Sequence, residues 1–399
     1  MHPVEEIREE RSSKLRGKRI LLCVTGSVAA VESFYLCRDL IRHGADVVPV
    51  MSEAATKIIH PDALEFASGH KPVLSLTGGV EHVSFCGEST DKVDMVLVSP
   101  CTLNTLSKVV LGICDNVVTA CTVTALGSGI PVVVVPAMHL SMYRNPVTVK
   151  NLRLAEELGV YVVKPELTET KARIAGRDEI VANVIRILGV RDFVGKKVLV
   201  IGGASAESLD DIRVLTNRSS GKMGVALAKN VFERGGDVEL WLGWSRLKPP
   251  EYLRVKRFES VMDLHEMVRN DEAKGFDVVI VCAALSNYLP EKRKGKIGSG
   301  EKELRIGFRE TPSVVDLIKR KHKDVFLVAF KAEENKEVLE EKAKAFLRRK
   351  GVDMVVANTL SAFGAEESEV LIVDGKNRVY NVKGGKDVLA EEILSYVGR

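Results

Sequence analysis

The stretch "KVLVIGGASAESLDDIRVLTNRSSGKMGVALAKNVFERGGDVELWLG" (197–243) carries an apolar run, a glycine turn, a polar loop, a helical pattern and a second apolar run, in that order. The two runs, 197–203 and 237–243, are apolar without alternation, as strands covered on both faces of a parallel sheet are. A helix is expected over 219–235, and strand, helix and strand in succession make one βαβ unit. The loop "TNRSSGKMG" (216–224) has half the pattern of a phosphate-binding loop. Its Gly221-Lys222 pair is followed by Met223 where that loop requires Ser or Thr, and no glycine stands at the earlier required position. It reads instead as a different anion-facing loop, opening a helix whose first N–H groups point at whatever it holds.

The same alternation continues on both sides. After 243 come "DVVIVCAA" (277–284), "VFLVAF" (325–330) and "DMVVAN" (353–358), with helical stretches over 312–321 and 334–350. Before it come "RILLCV" (19–24), "DVVPVM" (46–51), "DMVLVS" (94–99) and "IPVVVVP" (130–136). The charged, glycine-flanked "GVRDFVGKK" (189–197) suits a junction between the two series. The expected class is therefore α/β, with two doubly wound Rossmann-like domains over 19–190 and 191–399 and an N-terminal extension over 1–18. Ligands of such sheets sit outside the carboxyl ends of the strands. The loops to inspect are 25–27, 51–55, 99–105 and 136–143 in the first half, and 202–205, 283–288 and 329–334 in the second.

Bulk properties narrow the classes. A chain of 399 residues fits two domains, and 45% hydrophobic with 28% charged residues is the composition of a globular protein. A net charge of +4 provides no basic stripe for nucleic acid. The opening "MHPVEEIREERSSKLRGK" lacks the apolar core of a signal peptide, and no apolar run reaches the ~18 residues that span a bilayer, so no membrane association and a cytoplasmic location are expected. The seven cysteines form no CxxC pair, which argues against a zinc ribbon and leaves small core hydrophobes as the expectation.

Neither opening strand is followed by GxGxxG, so a mononucleotide fits better than a dinucleotide. In the first half, "SPCTLNTLSKVVLGICDNVVT" and "VVVVPAMHLSMYRNPVTVKNLRLAEELGV" resemble the flavin-dependent cysteine decarboxylases, those acting on phosphopantothenoylcysteine in particular. The resemblance implies a flavodoxin-like flavin decarboxylase domain that binds FMN through Gly26, Ser27, Ser52, Ser99, Thr102 and Thr105. It implies substrate contacts at Asn104, Met138, His139, Met142, Lys171 and Arg173, and a catalytic base at His82, an imidazole that titrates near neutrality. Two departures stand out. His139 occupies the place of the family's Asn, and residues 164–180 contain no cysteine where bacterial relatives carry a proton donor.

The 198–243 stretch in turn resembles phosphopantothenate–cysteine ligase, with a glycine turn, an Asp-x-x-Arg pair and Thr-Asn-Arg-Ser-Ser-Gly-Lys-Met-Gly in that order. The order of the halves matches the fused decarboxylase–ligase arrangement of coenzyme A biosynthesis. This implies catalytic Asn217 and Lys296, and nucleotide contacts at Gly203, Asp210, Ser219, Ser220, Ala284, Asn287, Lys296, Phe330, Lys342 and Lys344. Asn287 stands where the family has Asp, and the family's usual lysine aligns with Phe346 rather than with Lys342 or Lys344. The implied partners are 4'-phosphopantothenate, cysteine and CTP with Mg2+, the metal ligands being undetermined. The implied assembly is a homo-oligomer of trimeric decarboxylase domains, whose sites are shared between subunits, and dimeric ligase domains, with a dodecamer as one form. Two alternatives remain: a working ligase with an impaired decarboxylase half, and a flavin-binding regulatory protein.

Overall fold

A computed structural model of the chain describes residues 2–298, 303–359 and 367–398. It divides into two compact units, Met1–Val190 and Arg191–Arg399. In the first, Arg19–Val24, Asp46–Met51, Met95–Cys101, Val132–Pro136 and Tyr161–Val162 form a wholly parallel five-stranded sheet. The spatial order is second, first, third, fourth, fifth, which is the flavodoxin-like order. Side chains of a strand alternate between faces, and the first strand shows why both faces need cover. Ile20, Leu22 and Val24 enter one core with helices Glu32–Arg42 and Arg177–Leu188, while Leu21 and Cys23 enter the other with Leu103–Val110 and Val117–Gly127.

The charged N-terminal stretch is packed against this unit. Val4 and Leu15 are buried in the first core, and the backbone N–H groups of Glu9, Arg11 and Leu15 donate to Ile41, Arg42 and His43 at the end of helix Glu32–Arg42. Buried Asp39 faces Arg42 at 3.1 Å, Arg11 at 3.5 Å and Arg177 at 3.7 Å, which couples that stretch to a residue bordering the site described below.

In the second unit the sheet has eight strands, in the spatial order Arg254–Arg257, Asp237–Leu242, Lys197–Gly202, Val278–Val281, Phe326–Glu333, Met354–Thr359, Glu367–Asp374, Val379–Gly385. The first six are parallel in Rossmann order, and the last two form an antiparallel hairpin on the edge. That hairpin is not announced by an uninterrupted apolar run, because Glu367, Glu369, Asn381 and Lys383 interrupt it, although Val370 and Ile372 enter one core and Val373 the other. Val198 and Val200 point to one core and Leu199 and Ile201 to the other, so this unit is doubly wound too.

The helix that follows "TNRSSG" runs Lys222–Glu233, shorter than the 219–235 expectation, because Ser219 and Ser220 stay in the loop and Gly221 takes a left-handed N-cap with φ 80°. Its position against the first strand depends on two glycines. A Cβ on Gly224 would come within 2.9 Å of the Gly202 Cα, so strand and helix touch backbone to backbone. Gly224→Ala is expected to destabilise the second unit by about 1–3 kcal/mol through overpacking, net of the gain of ~1 kcal/mol in helix propensity. A lowered denaturation midpoint for that unit alone checks this; an unchanged midpoint contradicts the close contact.

Among the cysteines, Cys23, Cys37, Cys86, Cys101 and Cys121 are buried and none is in a disulfide. Burial pushes the Cys101 thiol up to about 12, as in an unreactive core side chain, while Cys282 is half-buried. Among the described residues no helix is long and apolar enough to cross a membrane.

Candidate functional sites at the two switch points

In a doubly wound sheet the chain leaves neighbouring strands toward opposite faces at one point, and a crevice opens between the two departing loops. In the first unit that point lies between Arg19–Val24 and Met95–Cys101. Thr25, buried directly after the first strand, ties the loops: its Oγ1 donates to the Pro100 carbonyl at 2.7 Å and accepts from the Thr102 N–H at 3.2 Å. Ser33 adds a bond from Oγ to the Ser99 carbonyl at 3.0 Å.

Hydroxyls gather at the strand ends. Ser27 caps the turn Val28–Val31, Ser52 caps Glu53–Thr56, and Thr102 caps helix Leu103–Val110, where it also meets the Thr105 hydroxyl. A capping hydroxyl uses a lone pair, so the O–H of Ser27 and of Ser52 is still available to an anion. Gly26 keeps the first two loops close, since a Cβ there would fall 2.4 Å from the Ala54 Cβ. Ser99 Oγ is buried with no hydrogen-bond partner among the described residues. An orphaned donor beside anion-facing hydroxyls fits a phosphorylated, polar-edged cofactor such as a flavin mononucleotide.

A cavity of about 700 Å³ adjoins this region and is bordered by Ser27, Met138, His139, Lys171 and Arg173, together with Arg177. A small antiparallel sheet shapes it, pairing Met138–His139 with Lys171–Arg173 and the latter with Glu166–Leu167. His139 Nδ1 accepts from the Ser141 N–H at 3.3 Å, which leaves Nε2 to carry the ring proton as a donor. His82, Asn104 and Met142 do not border the cavity. Asn104 and Met142 are exposed, and His82 sits on the helix Glu81–Cys86 with Nδ1 buried and without a partner among the described residues. Arg177 is missed by sequence reasoning because nothing local distinguishes it from other first-turn charges; the fold brings it to the cavity, over the Tyr35 ring.

In the second unit the switch point lies between Lys197–Gly202 and Val278–Val281, and the loops are again sewn together. The Ala284 N–H donates to the Gly203 carbonyl at 2.8 Å, and the Ser286 N–H donates to Ser205 Oγ at 3.0 Å. Asn217 crosses the gap, with Nδ2 donating to the Ala284 carbonyl at 2.8 Å. The crevice is a cavity of about 1470 Å³, bordered by Asn217, Ser219, Ser220, Ala284, Asn287 and Phe330.

Other expected residues lie elsewhere. Lys342 pairs with Glu333 at 2.6 Å and Lys344 with Glu340 at 2.6 Å, and neither borders the cavity. From the same helix, Phe346, Arg349 and Lys350 do, one helical face three and four residues apart. Lys222 and Lys386 also border it, each the first residue of its helix. Burial, with Lys222 nearby, pushes the Lys386 ammonium below its ordinary value. Gly203, Asp210 and Lys296 stand outside the lining; Asp210 is turned away from the crevice by bonds described further below.

The fold and the sites define a two-unit α/β protein, a flavodoxin-like unit with a flavin-type strand-end site followed by a Rossmann-like unit with a large anion-facing crevice. A family model described as Flavoprotein matches residues 8–189, and one described as the DNA/pantothenate metabolism flavoprotein C-terminal domain matches residues 193–399. The coenzyme A biosynthesis bifunctional protein CoaBC of Thermococcus kodakarensis is 44% identical, covering 94% of this chain and 93% of that protein. That of Methanocaldococcus jannaschii is 36% identical, covering 100% of this chain and 97% of that protein. The chain belongs to the family of bifunctional coenzyme A biosynthesis proteins.

Thr25→Val keeps shape but strands a buried carbonyl and N–H. It is expected to cost about 1–3 kcal/mol in the first unit and to lower its flavin content. Unfolding and flavin absorbance of the purified variant check this; full flavin content would contradict the role of the bridge.

Proposed function

We propose that the second unit joins 4'-phosphopantothenate to cysteine using CTP, and that the first unit then decarboxylates the product with FMN to give 4'-phosphopantetheine. The observation that carries the ligase half is Asn217, an amide fixed across the switch point at the mouth of the crevice. The family membership of the whole chain supports the pairing of the two activities.

A carboxylate is a poor electrophile. In the proposed ligase its oxygen attacks the α-phosphate of CTP, the P–O bond to pyrophosphate breaks, and the acyl-cytidylate stays bound. The cysteine nitrogen then attacks the acyl carbon, the C–O bond to CMP breaks, and the amine proton leaves to solvent. Asn217 and Lys296 are assigned to the acyl-phosphate charge and Ser219, Ser220, Ala284 and Gly203 to the nucleotide, Lys296 and Gly203 from outside the cavity lining. Asn287 is assigned to a ribose hydroxyl and Phe330 to the base. Lys222, Arg349, Lys350 and Lys386 border the crevice, Lys350 also pairing with Asp316 at 2.5 Å, and are better placed for the triphosphate than Lys342 and Lys344, which do not border it. Among the described residues no group of three or more His, Cys, Asp or Glu side chains is set to hold a metal, so Mg2+ is assigned to the triphosphate itself.

In the first unit Gly26, Ser27, Ser52, Ser99, Thr102 and Thr105 are assigned to FMN. Bound FMN supplies a reversible two-electron acceptor for the cysteinyl sulfur, which makes loss of the neighbouring carboxylate as carbon dioxide feasible. Lys171 and Arg173 hold the substrate phosphate, and the His139 Nε2–H donates to the carboxylate beside Met138. His82 takes the thiol proton. Its position outside the cavity agrees with a site completed by a neighbouring copy, to which His82, Asn104 and Met142 are contributed. A homo-oligomer working in the cytoplasm is the corresponding form.

The test is to incubate the purified chain with 4'-phosphopantothenate, cysteine, Mg2+ and either CTP or ATP, and to weigh the product. Product lacking the carboxyl group is expected; accumulation of the cysteine adduct would mean an impaired first unit, and no conversion with either nucleotide would refute the ligase. His82→Asn is expected to leave ligation intact and slow decarboxylation by roughly 10²–10⁴-fold. Unchanged carbon dioxide release in that variant would remove His82 from the base role.

A further inference from the structure

Asp210, the first residue of the Asp-x-x-Arg pair at 210–213, is expected from the sequence to meet the nucleotide, yet its carboxylate has no capacity left for one. Asp210 is buried, and its Oδ1 accepts from the N–H groups of Ile212 at 2.7 Å and Arg213 at 2.6 Å, closing a tight turn. Its Oδ2 accepts from Arg213 Nη1 at 2.9 Å and from the Ile297 N–H at 2.9 Å. A carboxylate offers about four acceptor positions, and these four bonds fill them.

The last bond reaches 87 residues along the chain, and it has companions. The Gly295 N–H donates to Asp211 Oδ2 at 2.9 Å, and the Asp211 N–H donates back to the Gly295 carbonyl at 3.2 Å. Arg213 Nη1 donates to the Ile297 carbonyl at 3.0 Å, Lys292 pairs with Asp211 at 2.9 Å, and the Arg293 N–H donates to the Leu209 carbonyl at 2.9 Å. Residues 295 and 297 are thus both anchored to the 209–213 turn, and Lys296 stands between them, exposed.

We infer that Asp210 and Asp211 are positioning residues of the ligase, which fix the backbone on both sides of Lys296 and thereby its place, without touching the nucleotide. This deepens the ligase reading above and rests on it. The arrangement behaves as a permanent anchor, not a pH switch. The Ile297 N–H, then the Arg213 N–H, hold the Asp210 carboxyl down to about 2 from an ordinary 3.8. A depressed carboxylate stabilises above its unfolded value and loses that stabilisation as pH falls through its folded value. The anchor is therefore complete above roughly pH 4 and is released only toward pH 2.

Asp210→Asn is the discriminating variant. The amide oxygen preserves the turn at Ile212 and Arg213, while its NH2 group opposes the Ile297 N–H and breaks the anchor. In the full-length chain, amide hydrogen exchange of residues 291–297 is expected to rise by about tenfold or more. Nucleotide-dependent pyrophosphate release is expected to lose kcat by a similar factor, with KM for CTP within about twofold. In a Lys296→Gln background the same change is expected to add no further loss, since both act through one group. Asp211→Ala removes the side-chain bonds to Gly295 and Lys292 while leaving the Asp210–Ile297 bond, and is expected to give a weaker version of each effect, which guards against a folding defect in the first variant. A raised KM with kcat unchanged, additive losses in the double variant, or unchanged exchange would overturn the inference. Failure of the ligase reading has a different signature: no pyrophosphate release from the unaltered chain, with the exchange response of Asp210→Asn intact.

Discussion

At a switch point, two loops leave adjacent parallel strands in opposite directions, and beyond their first residues the ladder between them ends. Buried backbone groups left unpaired are costly, so something must bridge the gap. In the first unit a hydroxyl does it, with Thr25 joining the Pro100 carbonyl to the Thr102 N–H. In the second, Ser205 and Asn217 do it, taking the Ser286 N–H and the Ala284 carbonyl. Both crevices exist because these bridges hold the loop roots together while the loops diverge above them. The residues beside each bridge are the ones assigned to ligand: Gly26, Ser27, Ser99 and Thr102 in one unit, Ser219, Ser220, Ala284 and Asn287 in the other.

Charge follows the same division of labour. The crevice of the second unit is bordered by cations from three helices, Lys222, Arg349, Lys350 and Lys386, which a polyanionic nucleotide would neutralise. Lysines earlier on the 339–350 helix pair with Glu333 and Glu340 and do not border the crevice. The acidic residues of the 209–213 turn serve the backbone of the 292–297 segment. Sign alone therefore does not assign a charged residue to a substrate; its place against the cavity does, since Lys350 borders the crevice while also pairing with Asp316 at 2.5 Å.

Much of the architecture was legible in the residues. The apolar runs at 19–24 and 46–51 coincide with strands Arg19–Val24 and Asp46–Met51, because a strand covered on both faces must be apolar at every position. The edge hairpin of Glu367–Asp374 and Val379–Gly385 was not, because Glu367, Glu369, Asn381 and Lys383 break its apolar run and make it look like a charged loop. Among residues that border the cavities, Asn217, Ser219 and Ser220 were identifiable from a loop motif that is contiguous in sequence. Arg177, Lys222, Arg349, Lys350 and Lys386 were not, because each is a charge in a helical turn, and only packing decides which face of a helix meets a cavity.

The sequence by itself determined the layers, the doubly wound class and the loops at which ligands would be sought, since burial on two faces and turn chemistry are written locally. It also carried the family of both halves in short contiguous motifs. Tertiary structure alone decided the use of individual charges. Asp210 became an anchor for Ile297 because a tight turn brought its second oxygen to a segment 87 residues away. His139 came to cap the Leu140–Tyr143 turn because its Nδ1 met the Ser141 N–H. Hydrogen-bonding capacity is finite, and which partners exhaust it depends on distances that no local pattern records.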